Sequence, residues 1–380
     1  MRAGTDTVRV FLAGDVMTGR GVDQILPHPA DPRIYESWIQ DARAYVALAE
    51  QAYGPVPAPV APDYIWGDAL AELEHRAPHA RIVNLETSVT LSDDHWPKGI
   101  NYRMAPANVA CLTAARLDVC TLANNHVLDY GRATLLETLA TLRGAGLRTA
   151  GAGADLDEAR RPAVVPFPGG RLAVLALGAA SSGIPAEWAA TPVRPGVDFL
   201  PDLSDSAADE VAARVRGARA GGALVVLSIH WGSNWGYAVE ADQVRFAHRM
   251  VDAGADVVCG HSSHHPRPLE VYRRRLVLYG CGDLINDYEG IGGHESLRGD
   301  LRLLYVATLH ARTGELVALE MVPLLARRMR LVRAPAADAA WIAGVLSGMF
   351  DTEVATTPEG ALRLRSAGPW RPAGNPAASS

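Results

Sequence analysis

The feature that most constrains this chain is an apolar segment that runs directly into a cluster of histidines. Residues 255–259 predict a buried strand, and His261, His264 and His265 follow it within five residues of one another. Three imidazoles are costly to bury without partners, and such a cluster is most often a metal site, although a solvated loop is the alternative. The fold must therefore bring other polar groups to the end of this strand.

Four other apolar segments end in the same way. Each has the composition of a buried strand, and each is followed by a carboxylate, an amide or an imidazole. In α/β folds, functional groups collect at the carboxyl ends of parallel strands, so we expect these side chains to converge. The strands and the side chains that follow them are 8–13 with Asp15, 81–85 with Glu86, 118–123 with Asn125 and His126, and 223–229 with His230.

The converging side chains offer only nitrogen and oxygen donors. Such a set suits Zn²⁺, Mn²⁺, Fe²⁺ or Ca²⁺, and we expect one or two divalent ions. Several ions bind sites of this kind, so the sequence leaves the identity and the number of the ions open.

The composition is that of a globular protein and excludes several kinds of partner. Of 380 residues, 48% are hydrophobic and 21% charged, and 36 basic against 42 acidic residues give a net charge of −6. No basic field favours nucleic acid or an anionic membrane. The only lysine is Lys98, so pyridoxal chemistry would depend on that residue. The N-terminus lacks the apolar segment of a signal peptide, and no segment approaches the length of a membrane span. The four cysteines form no CxxC pair, so we expect a cytoplasmic protein. The sequence leaves the oligomeric state open.

We expect one domain rather than two, because the chain contains no internal repeat and no break in composition. The predicted domain covers residues 1–366, with an insertion at about 28–63 and a disordered tail at 367–380. The insertion has helical spacing over residues 35–53 and a proline-rich end, and we interpret it as a lid over the site. Ser206 is predicted to cap the helix that follows it.

Five motifs, taken in order, resemble those of CapA-like proteins, a family named for a capsular poly-γ-glutamate synthesis protein. This family belongs to the calcineurin-like metallophosphoesterase superfamily. The resemblance spans about residues 8–325 and implies a four-layer α/β/β/α sandwich around a metal centre. The motifs are GDVM with Asp15, NLET with Glu86, NNHVLDYG with Asn125 and His126, IHWG with His230, and GHSSHHP with His261 and His264.

The resemblance also implies a role for each matching residue. It makes Asp15 and His264 ligands of a first ion and Glu86 a bridging carboxylate, while Asn125, His230 and His261 hold a second ion. His126 falls where phosphoesterases keep their general acid. Phosphoesterases place a ligating histidine where this chain has Met17, and they separate the last two histidines by one residue, not two. Asp283 stands where many CapA-like proteins have Asn.

A metal ion beside an amide carbonyl permits two reactions. It favours attack by water, or loss of the Cα proton to a base, and epimerisation needs acid/base groups on both faces of the Cα. His126, His265, His95 and Asp283 are the candidates for those groups. Soluble members of the resembled family include enzymes that epimerise a ribosomal lasso-peptide precursor, so peptide epimerisation is the favoured reading. The second hypothesis is hydrolysis of a peptide, poly-γ-glutamyl or phosphoester bond. The third hypothesis is non-catalytic binding of polyglutamate or a peptide by a protein with a structural metal.

Three further residues are candidates for binding the substrate. The planar guanidinium of Arg103 could hold a substrate carboxylate, with a structural ion pair as the alternative. Trp231 and Trp235 could line a pocket, with packing in the core as the alternative.

Overall fold

A computed structural model describes residues 6–365, so the tail predicted at 367–380 lies outside the described residues. Strands account for most of the regular structure. In chain order they are β1 (Thr7–Val16), β2 (Ala80–Leu85), β3 (Ser88–Val89), β4 (Arg103–Met104), β5 (Val119–Thr121), β6 (Arg148–Ala150), β7 (Ala152–Gly153), β8 (Ala163–Phe167), β9 (Gly170–Ala179), β10 (Gly196–Val197), β11 (Phe199–Leu200), β12 (Leu224–His230), β13 (Val257–His261), β14 (Leu269–Tyr272), β15 (Arg275–Leu278), β16 (Asp283–Ile285), β17 (Leu301–His310), β18 (Leu316–Arg327), β19 (Arg330–Arg333), β20 (Glu353–Thr356) and β21 (Leu362–Arg365).

The α-helices are mostly short and lie between the strands. Among the described residues, none is both long and apolar enough to cross a bilayer. In chain order they are α1 (Arg20–Ile25), α2 (Arg43–Tyr53), α3 (Ala69–Arg76), α4 (Ala110–Ala114), α5 (Gly131–Gly144), α6 (Leu156–Arg160), α7 (Asp205–Ala220), α8 (Ala241–Asp252) and α9 (Ala336–Leu346).

Most of the strands belong to two large sheets. The ten-stranded sheet has the order β20-β21-β18-β17-β1-β2-β5-β6, with β16 paired to β1 and β19 to β18. The seven-stranded sheet has the order β11-β9-β12-β13-β15-β14, with β8 paired to β9. Strands β1, β2, β5 and β6 are parallel, as are β9, β12, β13 and β15. The carboxyl ends of the parallel strands therefore meet at one edge of each sheet.

The two sheets pack face to face, and helices cover both outer faces. Because alternate side chains of a strand point to opposite faces, Val10 and Leu12 enter the core between the sheets with Val226, while Phe11 packs under the helices of the larger sheet. Each such side chain contributes about 1.5–3 kcal/mol when fully buried. Helices α1, α3 and α5 pack on the larger sheet, and α7 and α8 on the smaller one. The structure thus confirms the predicted four-layer α/β/β/α sandwich.

The strand registers place the polar strand ends side by side. Asp15 is aligned with Asn84 of β2 on one side and with Asp283 of β16 on the other. His230 is aligned with His261 across β12 and β13. The pairing of β1 with β16 brings together Asp15 and Asp283, which lie more than 200 positions apart in the sequence.

Two local predictions differ from the structure. Helix α2 begins at Arg43 and is therefore shorter than the helix predicted over residues 35–53. Glu36 forms a buried ion pair with Arg20 at 2.8 Å instead of belonging to a helix. Helix α7 is capped by Ser204, which accepts a hydrogen bond from the third helical amide, and not by Ser206. The domain boundaries remain a prediction.

Candidate metal centre

Asp15 lies at the end of β1, where the backbone of a neighbouring segment comes very close. Its amide donates to the carbonyl of Gly282 at 3.2 Å, and a Cβ on Gly14 would lie 1.9 Å from that same oxygen. Only glycine permits this approach. The Asn84 amide group donates to Oδ1 of Asp15 at 2.6 Å, and the backbone amide of Ser262 donates to Oδ2 at 3.1 Å. Both carboxylate oxygens are therefore fixed in position.

Asp15, His230 and His261 form the first group of side chains that could hold a metal ion. One donor atom from each lies within 4.8 Å of the others. Oδ1 of Asp15 is 3.7 Å from Nδ1 of His230 and 3.6 Å from Nδ1 of His261, and these two nitrogens are 2.7 Å apart. Burial, and next the neighbouring His261, lowers the pKa of His230 well below its usual value, and burial lowers the pKa of His261 to about 3. Both imidazoles are therefore neutral near pH 7.

Hydrogen bonds on the far side of each ring determine which nitrogen faces this group. Nε2 of His230 lies 2.9 Å from Oδ1 of Asn125, and Nε2 of His261 lies 2.7 Å from Oγ of Ser228. With protons assigned to these two Nε2 atoms, both Nδ1 atoms present lone pairs towards Asp15. Two ring nitrogens and Oδ1 of Asp15 then converge with no donor between them, although Asn84 donates to Oδ1 from outside the group, and a cation is the partner that satisfies the three atoms.

Asp15 also belongs to a second group, with Glu86 and Asp283. One carboxylate oxygen from each lies within 4.8 Å of the others, and none of the three residues is more than 5% exposed. Burial, followed by the charge of Asp283, raises the pKa of Asp15 to about 7, and burial, followed by Asp15, raises the pKa of Glu86 well above its usual value. Asp15 is thus the carboxylate common to both groups. The bridging position that the family resemblance implied for Glu86 remains a prediction.

These donors fit a divalent cation on chemical grounds. The first group supplies two imidazole nitrogens and a carboxylate, and the second supplies three carboxylates. Buried carboxylates at this separation repel one another, and a cation between them offsets the repulsion. Mixed nitrogen and oxygen donors do not select one ion, so its identity remains open.

Three asparagines surround the carboxylates. Nδ2 of Asn124 donates to Oδ1 of Asn84 at 3.1 Å and to the carbonyl of Leu85 at 2.8 Å. Asn84 in turn donates to Asp15, so these buried amides form a chain that orients the shared carboxylate. Asn125 contacts His230 through its Oδ1. The ligand role implied for Asn125 remains a prediction.

His126 lies beside the second group, and Asp129 orients its ring. Nδ1 is 2.6 Å from Oδ2 of Asp129, while Nε2 is 4.0 Å from Oε1 of Glu86. The ring also stacks on Tyr102 with centroids 3.8 Å apart. Burial lowers the pKa of His126 to about 4, against the opposing effect of Asp129. A proton on Nδ1, bonded to Asp129, leaves Nε2 as a proton acceptor that faces Glu86.

Lys98 contacts the carboxylate of Asp129 from the loop between β3 and β4. Its Nζ is 2.7 Å from Oδ1 of Asp129 and 3.1 Å from Nδ1 of His126, and it also donates to the carbonyl of Asn125. The sequence alone did not connect Lys98 with the site, because the residue lies in a polar loop outside the motifs. Its only signal was that it is the single lysine of the chain.

His264 pairs with Asp283 and is in neither group of candidate ligands. Its Nδ1 is 3.1 Å from each oxygen of that carboxylate. Burial, the largest single effect, acts to lower the pKa of His264, but the charge and hydrogen bond of Asp283, together with the charge of Asp15, outweigh it and raise the pKa. The indole of Trp235 lies 5.1 Å from the His264 ring and 3.9 Å from the His294 ring, between centroids. The substrate-binding role of Trp235 remains a prediction at the margin of the site.

Two residues predicted for the site are instead packed into the protein. Trp231 is 1% exposed and donates its Nε1 to the carbonyl of Tyr279 at 3.0 Å, so we correct its assignment from substrate binding to the core. His265 is fully buried, and its Nε2 accepts from the amide of Gly236 at 3.1 Å while its Nδ1 lies 3.1 Å from the carbonyl of Pro266. Because the backbone occupies both ring nitrogens, His265 has none free to act as an acid or a base.

Arg103 and His95 make contacts with the insertion and lie in neither group of candidate ligands. The buried guanidinium of Arg103 donates to the carbonyl of Asp31 at 2.8 Å and to the carboxylate of Asp93 at 3.1 Å. The His95 ring stacks on Tyr35 with centroids 3.4 Å apart. We therefore reassign Arg103 from binding a substrate carboxylate to tying the insertion to a loop. The contact of His95 does not bring it to the candidate ligands either.

The fold and this constellation define an α/β sandwich with a candidate metal centre at the carboxyl ends of its strands. Residues 9–288 match the family model described as "Bacterial capsule synthesis protein PGA_cap". Over 370 residues the chain is 49% identical to a "Probable polyglutamine synthesis accessory protein" of Mycobacterium tuberculosis. The aligned region covers 96% of this chain and 97% of the Mycobacterium tuberculosis protein. The chain therefore belongs to the bacterial capsule synthesis protein family, as the motifs predicted.

Two further similarities are more distant. The chain is 25% identical over 326 residues to "Capsule biosynthesis protein CapA" of Bacillus anthracis, which covers 80% of this chain and 76% of that one. Among solved structures, a hypothetical protein from Thermus thermophilus matches 83% of this chain and 98% of its own, with a TM-score of 0.41 and 14% identity.

Proposed function

We propose that this chain is a divalent-metal-dependent enzyme that hydrolyses amide bonds in a glutamate polymer or a related peptide. The observation that carries the proposal is the position of His126, whose Nε2 lies 4.0 Å from Oε1 of Glu86 and so beside the candidate ligands. A proton acceptor next to a Lewis acid is the pairing that attack of water on an amide requires.

Each residue of the site would have a separate role in this hydrolysis. A bound divalent ion would polarise the amide carbonyl and lower the pKa of a water molecule. Asp15 would take part in holding it, together with the imidazoles of the first group or the carboxylates of the second. His126 would accept the proton of the attacking water at Nε2 and deliver it to the departing amide nitrogen. Asp129 would stabilise the transiently charged ring through Nδ1, from which it lies 2.6 Å.

The names of two relatives support the choice of substrate class. The Mycobacterium tuberculosis protein is named for polyglutamine synthesis and the Bacillus anthracis protein for capsule biosynthesis. Cleavage of an amide bond would trim or release such a polymer, and this is an accessory step in its production. We therefore rank amide hydrolysis ahead of the epimerisation that the sequence alone favoured.

Epimerisation of a peptide residue is the second candidate, and one observation favours it. Glu86 and Asp283 belong to the same carboxylate group, and each has an imidazole beside it. His126 lies 4.0 Å from Glu86, and His264 lies 3.1 Å from Asp283. One imidazole could remove a Cα proton while the other returns a proton to the opposite face. A ribosomal peptide precursor would be the substrate of this reaction.

One experiment separates the candidates. The protein is freed of metal, reloaded with Zn²⁺, Mn²⁺, Fe²⁺ or Ca²⁺, and incubated in D₂O with poly-γ-glutamate, with peptides and with a phosphoester. New amino termini and shorter chains support amide hydrolysis, whereas deuterium at a Cα without a change in length supports epimerisation. Release of free phosphate supports the phosphoesterase alternative. Bound but unchanged polymer or peptide supports the non-catalytic reading.

Variants of the same protein supply the controls. Asp15→Asn and His126→Gln should abolish turnover, while Arg312→Met, on the exposed surface, should not. Full activity of a thoroughly chelated wild-type preparation would refute the metal dependence.

A further inference from the structure

Lys98 makes contacts that the hydrolysis mechanism above does not use. Its ammonium lies 2.7 Å from Oδ1 of Asp129, a carboxylate whose side chain is 0% exposed, and 3.1 Å from Nδ1 of His126. The Lys98 side chain itself is only 18% exposed. A buried carboxylate without a cation is unfavourable, and in the part of the chain that the structure describes, Lys98 is the permanently charged partner of Asp129.

We infer that Lys98 is a positioning residue that sets the tautomer of His126 through Asp129. The two oxygens of Asp129 have separate partners. Oδ1 pairs with Lys98, whereas Oδ2 lies 2.6 Å from Nδ1 of His126 and accepts the amide of Tyr102 at 2.7 Å. The ion pair at Oδ1 and the Tyr102 hydrogen bond at Oδ2 keep this carboxylate from turning away from the ring. An ammonium can only donate, so its 3.1 Å contact opposes a proton on Nδ1, but Oδ2 of Asp129 can only accept and lies closer to Nδ1, at 2.6 Å. Nδ1 therefore keeps its proton, and Nε2 stays an acceptor towards Glu86.

The loop that carries Lys98 is itself built around Asp129. The carbonyl of Asp129 accepts the backbone amide of Trp96 at 2.7 Å and the side-chain amide of Asn101 at 3.2 Å. Lys98 lies between these two residues, so its position relative to Asp129 is fixed from both sides. A purely structural tie of the loop would use the same contacts, but it would leave the tautomer of His126 unchanged when the charge is removed. The tautomer is therefore the property to measure.

The test is nitrogen NMR of the folded protein labelled with ¹⁵N-histidine. The signal of His126 is identified by its loss in His126→Gln. Wild type and Lys98→Arg should show the proton on Nδ1, whereas Lys98→Met, which keeps the length but removes the charge, should show a shift towards Nε2. A folded Lys98→Met protein with the wild-type tautomer would overturn the inference. This measurement needs no substrate, so its outcome is independent of the proposed function.

Because Lys98 is the only lysine, its charge can also be removed without a substitution. Acetylation of folded wild-type protein modifies Lys98 and the N-terminal amine, while acetylation of Lys98→Arg modifies only the amine. A shift of the His126 tautomer in the first sample alone supports the inference, and equal spectra overturn it. This keeps the test decisive if Lys98→Met fails to fold.

A kinetic comparison extends the test and rests on the proposed function. Lys98→Met should lower kcat by about 10- to 100-fold with little change in KM, because the charge acts on proton transfer rather than on substrate binding. Lys98→Arg should recover most of that loss. A rise in KM at unchanged kcat would contradict the positioning role. An inactive wild type would instead refute the proposed function and leave the NMR result standing.

Discussion

Replacing Asp15 by Asn separates the electrostatic cost of the carboxylate cluster from its use in binding a cation. In the metal-free protein, burial and next Asp283 raise the pKa of Asp15 from 3.8 to about 7. A carboxyl group whose folded-state pKa is raised destabilises the fold once it ionises. The penalty therefore grows as the pH rises from about 4 towards 7, and it is complete above pH 7. The rise of the pKa from 3.8 to about 7 corresponds to about 4 kcal/mol.

The Asn side chain removes this penalty at a small cost. It keeps an oxygen for the Asn84 donor but loses the acceptor of the Ser262 amide, which costs about 1 kcal/mol. Metal-free Asp15→Asn should thus be about 3 kcal/mol more stable than wild type at pH 8 and no more stable at pH 4. At 100 times the dissociation constant, a bound ion adds about 2.7 kcal/mol to the wild type. It should add almost nothing to the variant, because Asp15 belongs to both candidate groups.

Urea unfolding at both pH values, with chelator and with saturating metal, measures these differences. Asp23→Asn is the matched control, because Asp23 is also a buried carboxylate but lies in neither group and bonds to the backbone of Ala30 and Ala105. It should keep the wild-type response to metal. The reasoning is refuted if Asp15→Asn gains as much stability from metal as wild type does, or if it is the less stable protein at pH 8 without metal.

Five further substitutions, in three tests, examine the site and the fold. Asp129→Asn should lower kcat by about 10³- to 10⁴-fold in steady-state assays, because the amide favours the wrong tautomer of the catalytic imidazole, and an unchanged kcat would contradict that role. Trp231→Ala should lower the free energy of unfolding by about 3–5 kcal/mol, because Trp231 lies in the core. Trp235→Ala should lower it by less than about 1 kcal/mol and raise KM. Equal losses of unfolding free energy in the two variants would contradict the assignment of Trp231 to the core and Trp235 to the margin of the site. Ser204→Ala should cost about 1 kcal/mol in urea unfolding and Ser206→Ala almost none, so the reverse order would place the cap of α7 at the wrong residue.

Much of the fold and part of the candidate site followed from short-range patterns. The strands before Asp15, His230 and His261 were predictable because a short apolar run that ends in a polar group is typical of a buried strand in a globular protein. Element boundaries were less predictable, because they depend on distant partners. Glu36, for example, leaves a helical pattern to pair with Arg20, which precedes the insertion.

The roles of side chains within the site were harder to predict than its location. Trp231 and Trp235 occur in one motif, four residues apart, yet one is buried in the core and the other lies beside His264. His264 and His265 are adjacent, but one pairs with Asp283 and the backbone occupies both nitrogens of the other. A sequence pattern gives the chemistry of a side chain but not its direction, and packing determines the direction.

The sequence by itself determined the edge at which the polar groups collect, because apolar periodicity and polar strand ends are local properties of the chain. Its motifs also determined the family, and the resemblance to that family implied the sandwich. Only the tertiary structure decided that Asp15 is common to both candidate ligand groups and that Lys98 reaches Asp129. Those facts depend on distances between segments that the chain brings together only by folding. They follow from the registers of the two sheets and from the path of one loop, neither of which leaves a local signal.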